Sequence, residues 1–194
     1  YGEKIGSFVP NNSRRNIKTE LNQLRMYDSE KERLDMARRL EIASVSNIRA
    51  NLRYYQRRKN ATELEAAVKD MADIITKLNE ARDINHMMML EAQARQKYYG
   101  CFNSILEGKQ FYFDKRTRRP PQDPLNAMIS FGNTLLYQRI ANEINRTSLD
   151  IRIGIVHAAG NRPESLNLDL ADLFKPILVD RTIFTLVNRK MINV

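Results

Sequence analysis

His157 stands just upstream of Ser165-Leu-Asn-Leu-Asp169-Leu-Ala-Asp172. Two carboxylates three residues apart lie on one helical face, and with a nearby imidazole they can converge on a divalent cation. Glu91 offers a third ligand, because it interrupts an apolar run formed by Met87, Met88, Met89, Leu90 and Ala92. Burying an unpaired carboxylate is costly, so a helical Glu91 calls for compensation. Hard cations take oxygen ligands, and manganese also accepts imidazole, which makes Glu91, His157 and Asp172 a coherent set for Mg2+ or Mn2+. Plainer readings stand beside it. Glu91 can pair with Arg95 one turn later, His157 can be a satisfied core histidine, and the two aspartates can be a solvated face.

The elements that must carry these residues read as helical. No glycine occurs between Gly6 and Gly100, and no proline between Pro10 and Pro120, so that half contains no strong helix breaker. Leu64, Val68, Met71, Ile75 and Leu78 form a stripe at alternating steps of four and three, and Val45, Ile48, Leu52 and Tyr55 repeat the spacing. Ile17, Leu21 and Leu24 suggest a shorter helix. Another is expected from an N-cap at Asp83 to Leu106, placing Glu91 in mid-helix. Helix resumes near Leu125 and stops before Ser148, with Gly132 tolerated where a second helix packs closely. Ser165 is the expected cap of the next helix, and Pro176 should kink or divide it. Only Tyr1 to Pro10 and Ile151 to Val156 read as extended. The expected fold class is all-α.

Between Lys109 and Arg119 the chain holds Lys109, Lys115, Arg116, Arg118 and Arg119 against Asp114, with Phe111, Tyr112 and Phe113 interleaved. Such a loop suits phosphate contacts and base stacking, or it is simply solvated. Across the chain 32 basic residues face 23 acidic ones, for a formal charge of +9. That excess points to a polyanion, with nucleic acid ahead of a membrane surface because tryptophan is absent and no basic face carries bulky anchors. The lone cysteine, Cys101, excludes an intrachain disulfide and suits a reducing cytoplasm. No apolar run is long enough to span a bilayer. A Gly-x-Ser-x-Gly elbow, a P-loop and a dinucleotide fingerprint are all missing, which disfavours serine-hydrolase and nucleotide-cofactor chemistry.

Leu90-Glu91-Ala-Gln-Ala-Arg-Gln-Lys-Tyr98-Tyr99, Arg118-Arg119-Pro120-Pro121-Gln-Asp123-Pro124-Leu-Asn126-Ala127, Ser130-Phe131-Gly132, His157 and Ser165 through Pro176 follow one another in an order that resembles the CRISPR-associated integrase, the metal-dependent DNA endonuclease of spacer acquisition. The resemblance covers nearly the whole chain. It implies that Glu91, His157 and Asp172 bind the metal, that Asp169 supports them from the same helix, and that Lys115, Arg116, Arg118 and Arg119 hold DNA. It also implies joining of a DNA 3′-hydroxyl to a phosphodiester by transesterification, in a prokaryotic cytoplasm. The family pairs through an N-terminal β-rich domain into a homodimer and works with a small ferredoxin-like partner subunit. On that basis residues 1–12 are expected to be a remnant or linker, residues 13–194 the helical catalytic domain, and the whole a piece of a longer polypeptide. Where many relatives follow Ser-Phe-Gly with tyrosine, this chain has Asn133; Tyr137, one turn on, either substitutes for it or is a packing aromatic. The alternatives are a non-catalytic helical nucleic-acid-binding or scaffolding domain, in which the acids only balance charge, and a helical RNA-cleaving domain.

Overall fold

A computed structural model describes residues 16–59, 61–107, 109–157 and 164–192, and contains no strand among them. The extended reading of Tyr1 to Pro10, and the proposed remnant over residues 1–12, lie outside the described residues. The helices are α1 (Ile17–Asp28), α2 (Glu30–Lys59), α3 (Thr62–Glu80), α4 (Ile84–Gly100), α5 (Phe102–Ile105), α6 (Pro124–Asn145), α7 (Ser165–Phe174) and α8 (Arg181–Asn188), with a π-helical turn, Lys175–Asp180, joining the last two. Ile151 to Val156 form turns and irregular loop rather than extended chain.

The 30-residue α2 is the spine. Glu30 and Glu32 in its first turn and Arg57, Arg58 and Lys59 in its last oppose the ends of its dipole. Val45, Ile48, Leu52 and Tyr55 are all buried, as their spacing requires. Around this spine pack α3, α4, α7 and the π turn. At one end of the core Phe184 packs edge-on against Tyr55 and Phe102, with ring centroids 5.4 and 4.8 Å apart, a favourable aromatic geometry.

Two helices exist where expected but present a different face. On α3 the buried stripe is Leu64, Ala67, Met71, Ile74 and Leu78, while Val68 and Ile75 are only partly covered. Ala67 is buried in that stripe, and α3 packs against α2, where a small side chain takes little room. On α1, Ile17, Leu21 and Leu24 are exposed and the buried residue is Gln23. Its side-chain amide donates to the carbonyls of Asp150 (3.0 Å) and Ile153 (3.1 Å) and accepts from Asp150 N–H (2.8 Å). A loop with no ladder of its own thus has its backbone groups satisfied by one side chain.

Asp83 caps α4 by accepting from His86 N–H at 2.8 Å. The helix expected to run on to Leu106 breaks at Cys101, and α5 follows. Cys101 is buried, and burial pushes its thiol up to about 11. Asp123 caps α6 with Pro124 in the first turn. Within α6, a Cβ on Gly132 would lie 2.7 Å from Val179 Cγ1, so the glycine marks the expected close crossing. Ser165 is not the cap of α7 but lies inside its first turn, where Oγ donates to Arg152 O (2.6 Å) and accepts from Gly154 N–H (3.2 Å). The serine fastens the preceding loop instead.

Candidate functional site

Asp172 projects from α7 and Glu91 from α4, and the two meet on one guanidinium. Arg95, one turn after Glu91, pairs with it through Nε, and Arg95 Nη2 lies 2.8 Å from Asp172 Oδ1. The Nη2 contact is close enough to be an ion pair, though its alignment falls short of a hydrogen bond. Lys175 Nζ is 2.5 Å from the same Asp172 oxygen and 4.9 Å from the Tyr137 ring centroid. Burial raises the Asp172 carboxyl, but the attraction of Arg95 and Lys175 outweighs it and holds the group below the usual carboxylate range. The same pairing keeps both cations protonated despite their burial.

Asp169 does something different from its neighbour one turn on. Its side chain is fully enclosed and faces the loop before α7, where Oδ2 accepts from the N–H groups of Ile155 and Val156 at 2.5 and 3.1 Å. Oδ1 accepts from His157 N–H at 3.0 Å and meets His157 Nδ1 at 2.6 Å. Since a carboxylate only accepts, Asp169 places the imidazole proton on Nδ1 and fixes the ring's orientation. Gln23 from α1, Arg33 from α2 (Nε to Ile155 O, 2.8 Å) and Ser165 hold the rest of the loop.

The polar side of α2 completes the surroundings. Ser44 Oγ donates to Asp172 O at 3.1 Å, Asn47 to Leu173 O at 2.8 Å, and Asn51 to Pro176 O at 3.1 Å. Pro176 has no N–H to offer the carbonyl of Asp172 four residues earlier, and Ser44 supplies that missing donor. One turn before Ser44, Glu41 is 5% exposed and its Oε2 has no hydrogen-bond partner. Burial, reinforced by the charges of Glu91, Asp172 and Asp169 against the counter-pull of Arg95, pushes its carboxyl up to about 8.

Glu91 and Asp172 are therefore brought together, while His157 is held by the carboxylate that resemblance places in support. As the side chains stand, no three His, Cys, Asp or Glu residues among those described gather closely enough to enclose an ion. Arg95 and Lys175 take up the charge of the acids. The donor set nevertheless fits a hard divalent ion: two carboxylates on one buried cation, an imidazole oriented through Nδ1, and an orphaned buried carboxyl oxygen on Glu41. Sequence spacing pointed to Arg95 only as a partner for Glu91. Lys175 and Glu41 gave no signal, since one is a surface-type residue beside a proline and the other lies in a helix rich in charge.

The basic loop is partly a structural element. Phe111 and Phe113 are in the core and only Tyr112, at 66% exposure, stands out, so the expected stacking triplet reduces to one ring. Arg116 faces inward: Nη1 donates to Asn126 Oδ1 (2.7 Å) and Nη2 to Ser130 Oγ (2.9 Å). Asn126 in turn accepts from Thr117 N–H and donates to Lys115 O, at 3.0 and 2.8 Å. Arg116 thus shapes the loop onto α6, while Lys115, Arg118 and Arg119 are exposed. Asn133, partly buried with Oδ1 unpartnered, gives no sign of what the tyrosine of relatives would do.

The family model described as CRISPR associated protein Cas1 matches residues 1–194. The chain belongs to the Cas1 family. It is 41% identical over 188 residues to a protein of Haloferax volcanii named CRISPR-associated endonuclease Cas1, covering 97% of this chain and 56% of that protein. A solved Cas1 protein from Thermotoga maritima superposes with a TM-score of 0.86 at 36% identity, over 99% of this chain and 59% of the other. A chain of a partial Cas6-RT-Cas1–Cas2 complex gives 0.84 at 26% identity, over 99% and 57%. The Cas1-family chain spans little more than half the length of each. The helical architecture is the one expected, and no helix among the described residues is long and apolar enough to cross a membrane.

Proposed function

We propose that this chain carries the catalytic centre of a metal-dependent DNA endonuclease and integrase, which joins a DNA 3′-hydroxyl to a phosphodiester by transesterification. The observation that carries the reading is the convergence of Glu91 and Asp172, from two different helices, on the buried Arg95, beside an imidazole oriented by Asp169. Glu91, Asp172 and His157 would hold Mg2+ or Mn2+, with His157 ligating through Nε2 because Nδ1 belongs to Asp169. A bound divalent ion would lower the pKa of the attacking hydroxyl and neutralise charge on the phosphoryl oxygens.

The chain's own groups supply the remainder. Asp169 holds the imidazole in one orientation and in the tautomer that carries its proton on Nδ1. Arg95 and Lys175 hold Glu91 and Asp172 in place and balance their charge. Exposed Lys115, Arg118 and Arg119 bind the DNA backbone, so affinity falls as salt rises. The names of the relatives support nuclease activity. The homodimer that the resemblance implies would act with a small partner subunit, and the solved complex whose name contains both Cas1 and Cas2 supports the partner.

A specific observation also favours a second reading, a non-catalytic DNA-binding domain: Asp172 and Glu91 are already neutralised by Arg95 and Lys175. Mn2+-dependent cleavage and joining of a branched DNA duplex separates the two. Loss of activity in Asp172→Asn with DNA affinity retained supports catalysis. DNA binding by both proteins, with no strand cleaved or joined by either, leaves the binding platform.

A further inference from the structure

Glu41 is not explained by the fold. Ala37 and Val45, one turn to either side on the same face of α2, are fully buried, and a leucine or methionine would fill the position between them. An acid there leaves Oε2 without a partner, and an unsatisfied buried polar atom costs about 1–3 kcal/mol. Its charged surroundings are those of the site just described, Glu91, Asp172, Arg95 and Asp169. Ser44, one turn on, reaches the backbone of Asp172 itself. Glu41 is therefore a buried carboxyl one turn along α2 from the residue that holds the Asp172 backbone.

We infer, resting on the metal-centre reading above, that Glu41 is the fourth carboxylate of the centre, a positioning residue that anchors the divalent ion through a bound water. The chemistry fits the ion class. A small hard cation keeps several of its waters, and each such water needs an acceptor on the protein side, which Oε2 provides. Carboxylates placed one shell out from the ligands fix how firmly the ion is held, and their removal weakens affinity about 10–100-fold. The ligand on α4 and the ligand on α7 would then be tied, through the ion and its water, to the spine helix that carries the fold.

The test is a Mn2+ titration of the purified chain without DNA, following free Mn2+ by its electron paramagnetic resonance signal. Parent, His157→Ala and Glu41→Gln are compared, and circular dichroism without metal confirms that each folds. Glu41→Gln is expected to bind Mn2+ about 10–100-fold more weakly, with metal-free melting unchanged or higher, a combination that a purely structural role does not produce. If His157→Ala loses affinity while Glu41→Gln stays within about 3-fold of the parent, Glu41 has no part in the centre and the inference alone falls. If the parent binds no Mn2+, the metal-centre reading falls and takes the inference with it. Should Glu41→Gln fail to fold, Glu41→Asp replaces it: the charge stays but is withdrawn by one methylene, and parental affinity in that variant overturns the proposal.

Discussion

Replacing Asp169 by asparagine tests how the loop that presents His157 is built. The carboxylate satisfies four donors, the N–H groups of Ile155, Val156 and His157 and the His157 ring. Asparagine keeps the shape and one acceptor oxygen. With the amide oxygen kept towards Ile155 and Val156, the NH2 group faces the His157 ring, which can switch tautomer to accept from it, and only the His157 N–H is left without an acceptor. A buried donor left unpaired costs about 1–3 kcal/mol, and exchanging a charged acceptor for a neutral one at Ile155 and Val156 adds to it. The expected destabilisation is about 2–3 kcal/mol, a sizeable share of the roughly 5–15 kcal/mol typical of a domain. In a chain of this size that corresponds to a fall in melting temperature of about 5–10 °C. Urea unfolding measures the total, and amide hydrogen exchange locates it, since Ile155, Val156 and His157 should lose protection first. A change below about 1 kcal/mol, or protection lost elsewhere, would refute the account, because a buried carboxylate with four donors cannot be exchanged so cheaply.

Gly154→Ala strikes the same loop sterically. Its Cβ would lie 2.4 Å from His157 O and 2.7 Å from Ser165 Cβ, so a loss of about 1–3 kcal/mol is expected in thermal unfolding. The basic loop should divide by role: Arg118→Ala and Arg119→Ala each lower the salt dependence of DNA binding by about one ion and leave stability alone, whereas Arg116→Ala lowers the melting temperature. Stability without metal should also depend on pH through Glu41. Its carboxyl ordinarily titrates near 4.5 and in the fold near 8, so its contribution is intact below the unfolded value and is lost as pH rises through the folded one. The charges facing it are Glu91, Asp172, Asp169 and Arg95. Glu41→Gln should therefore gain on the parent in unfolding free energy between pH 5 and pH 8, on the order of a few kcal/mol at the upper end, read by urea unfolding at each pH; a constant difference across that range would show that Glu41 is not the titrating group.

How much of this was legible beforehand varies with the physics involved. Helix positions followed from the absence of breakers over half the chain and from caps such as Asp83 and Asp123. Which face turns inward was harder. Periodicity on α3 fits two neighbouring stripes, and only packing against α2 favours the one containing Ala67 over Val68. On α1 the expected leucine face is exposed because Gln23 was needed to hold a loop far along the chain, a demand no local pattern records. Glu91, His157 and Asp172 stood out as candidates by type, since ligand chemistry is a property of side chains. The cations that neutralise Glu91 and Asp172, and the burial of Glu41, depend on how α2, α4 and α7 meet. In the basic loop Lys115, Arg118 and Arg119 are exposed, but Phe111, Phe113 and Arg116 turn inward, and composition alone does not distinguish a ring that stacks on a base from one that fills a core.

The proline-broken helix that carries Asp172 has a mechanical consequence. Ser44, Asn47 and Asn51 on α2 bond in step to the carbonyls of Asp172, Leu173 and Pro176, and they work as the teeth of a rack against α7 and the π turn. Sliding α7 by one turn, about 5.4 Å, would disengage all of them together, and a smaller slip would leave each donor facing a gap. Intermediate positions are therefore excluded and the two helices have one meshing. The placement of Asp172 against α2 is set by that meshing, so a change on α2 such as Ser44→Ala can shift Asp172 away from Arg95 and Lys175 without altering any of those three side chains.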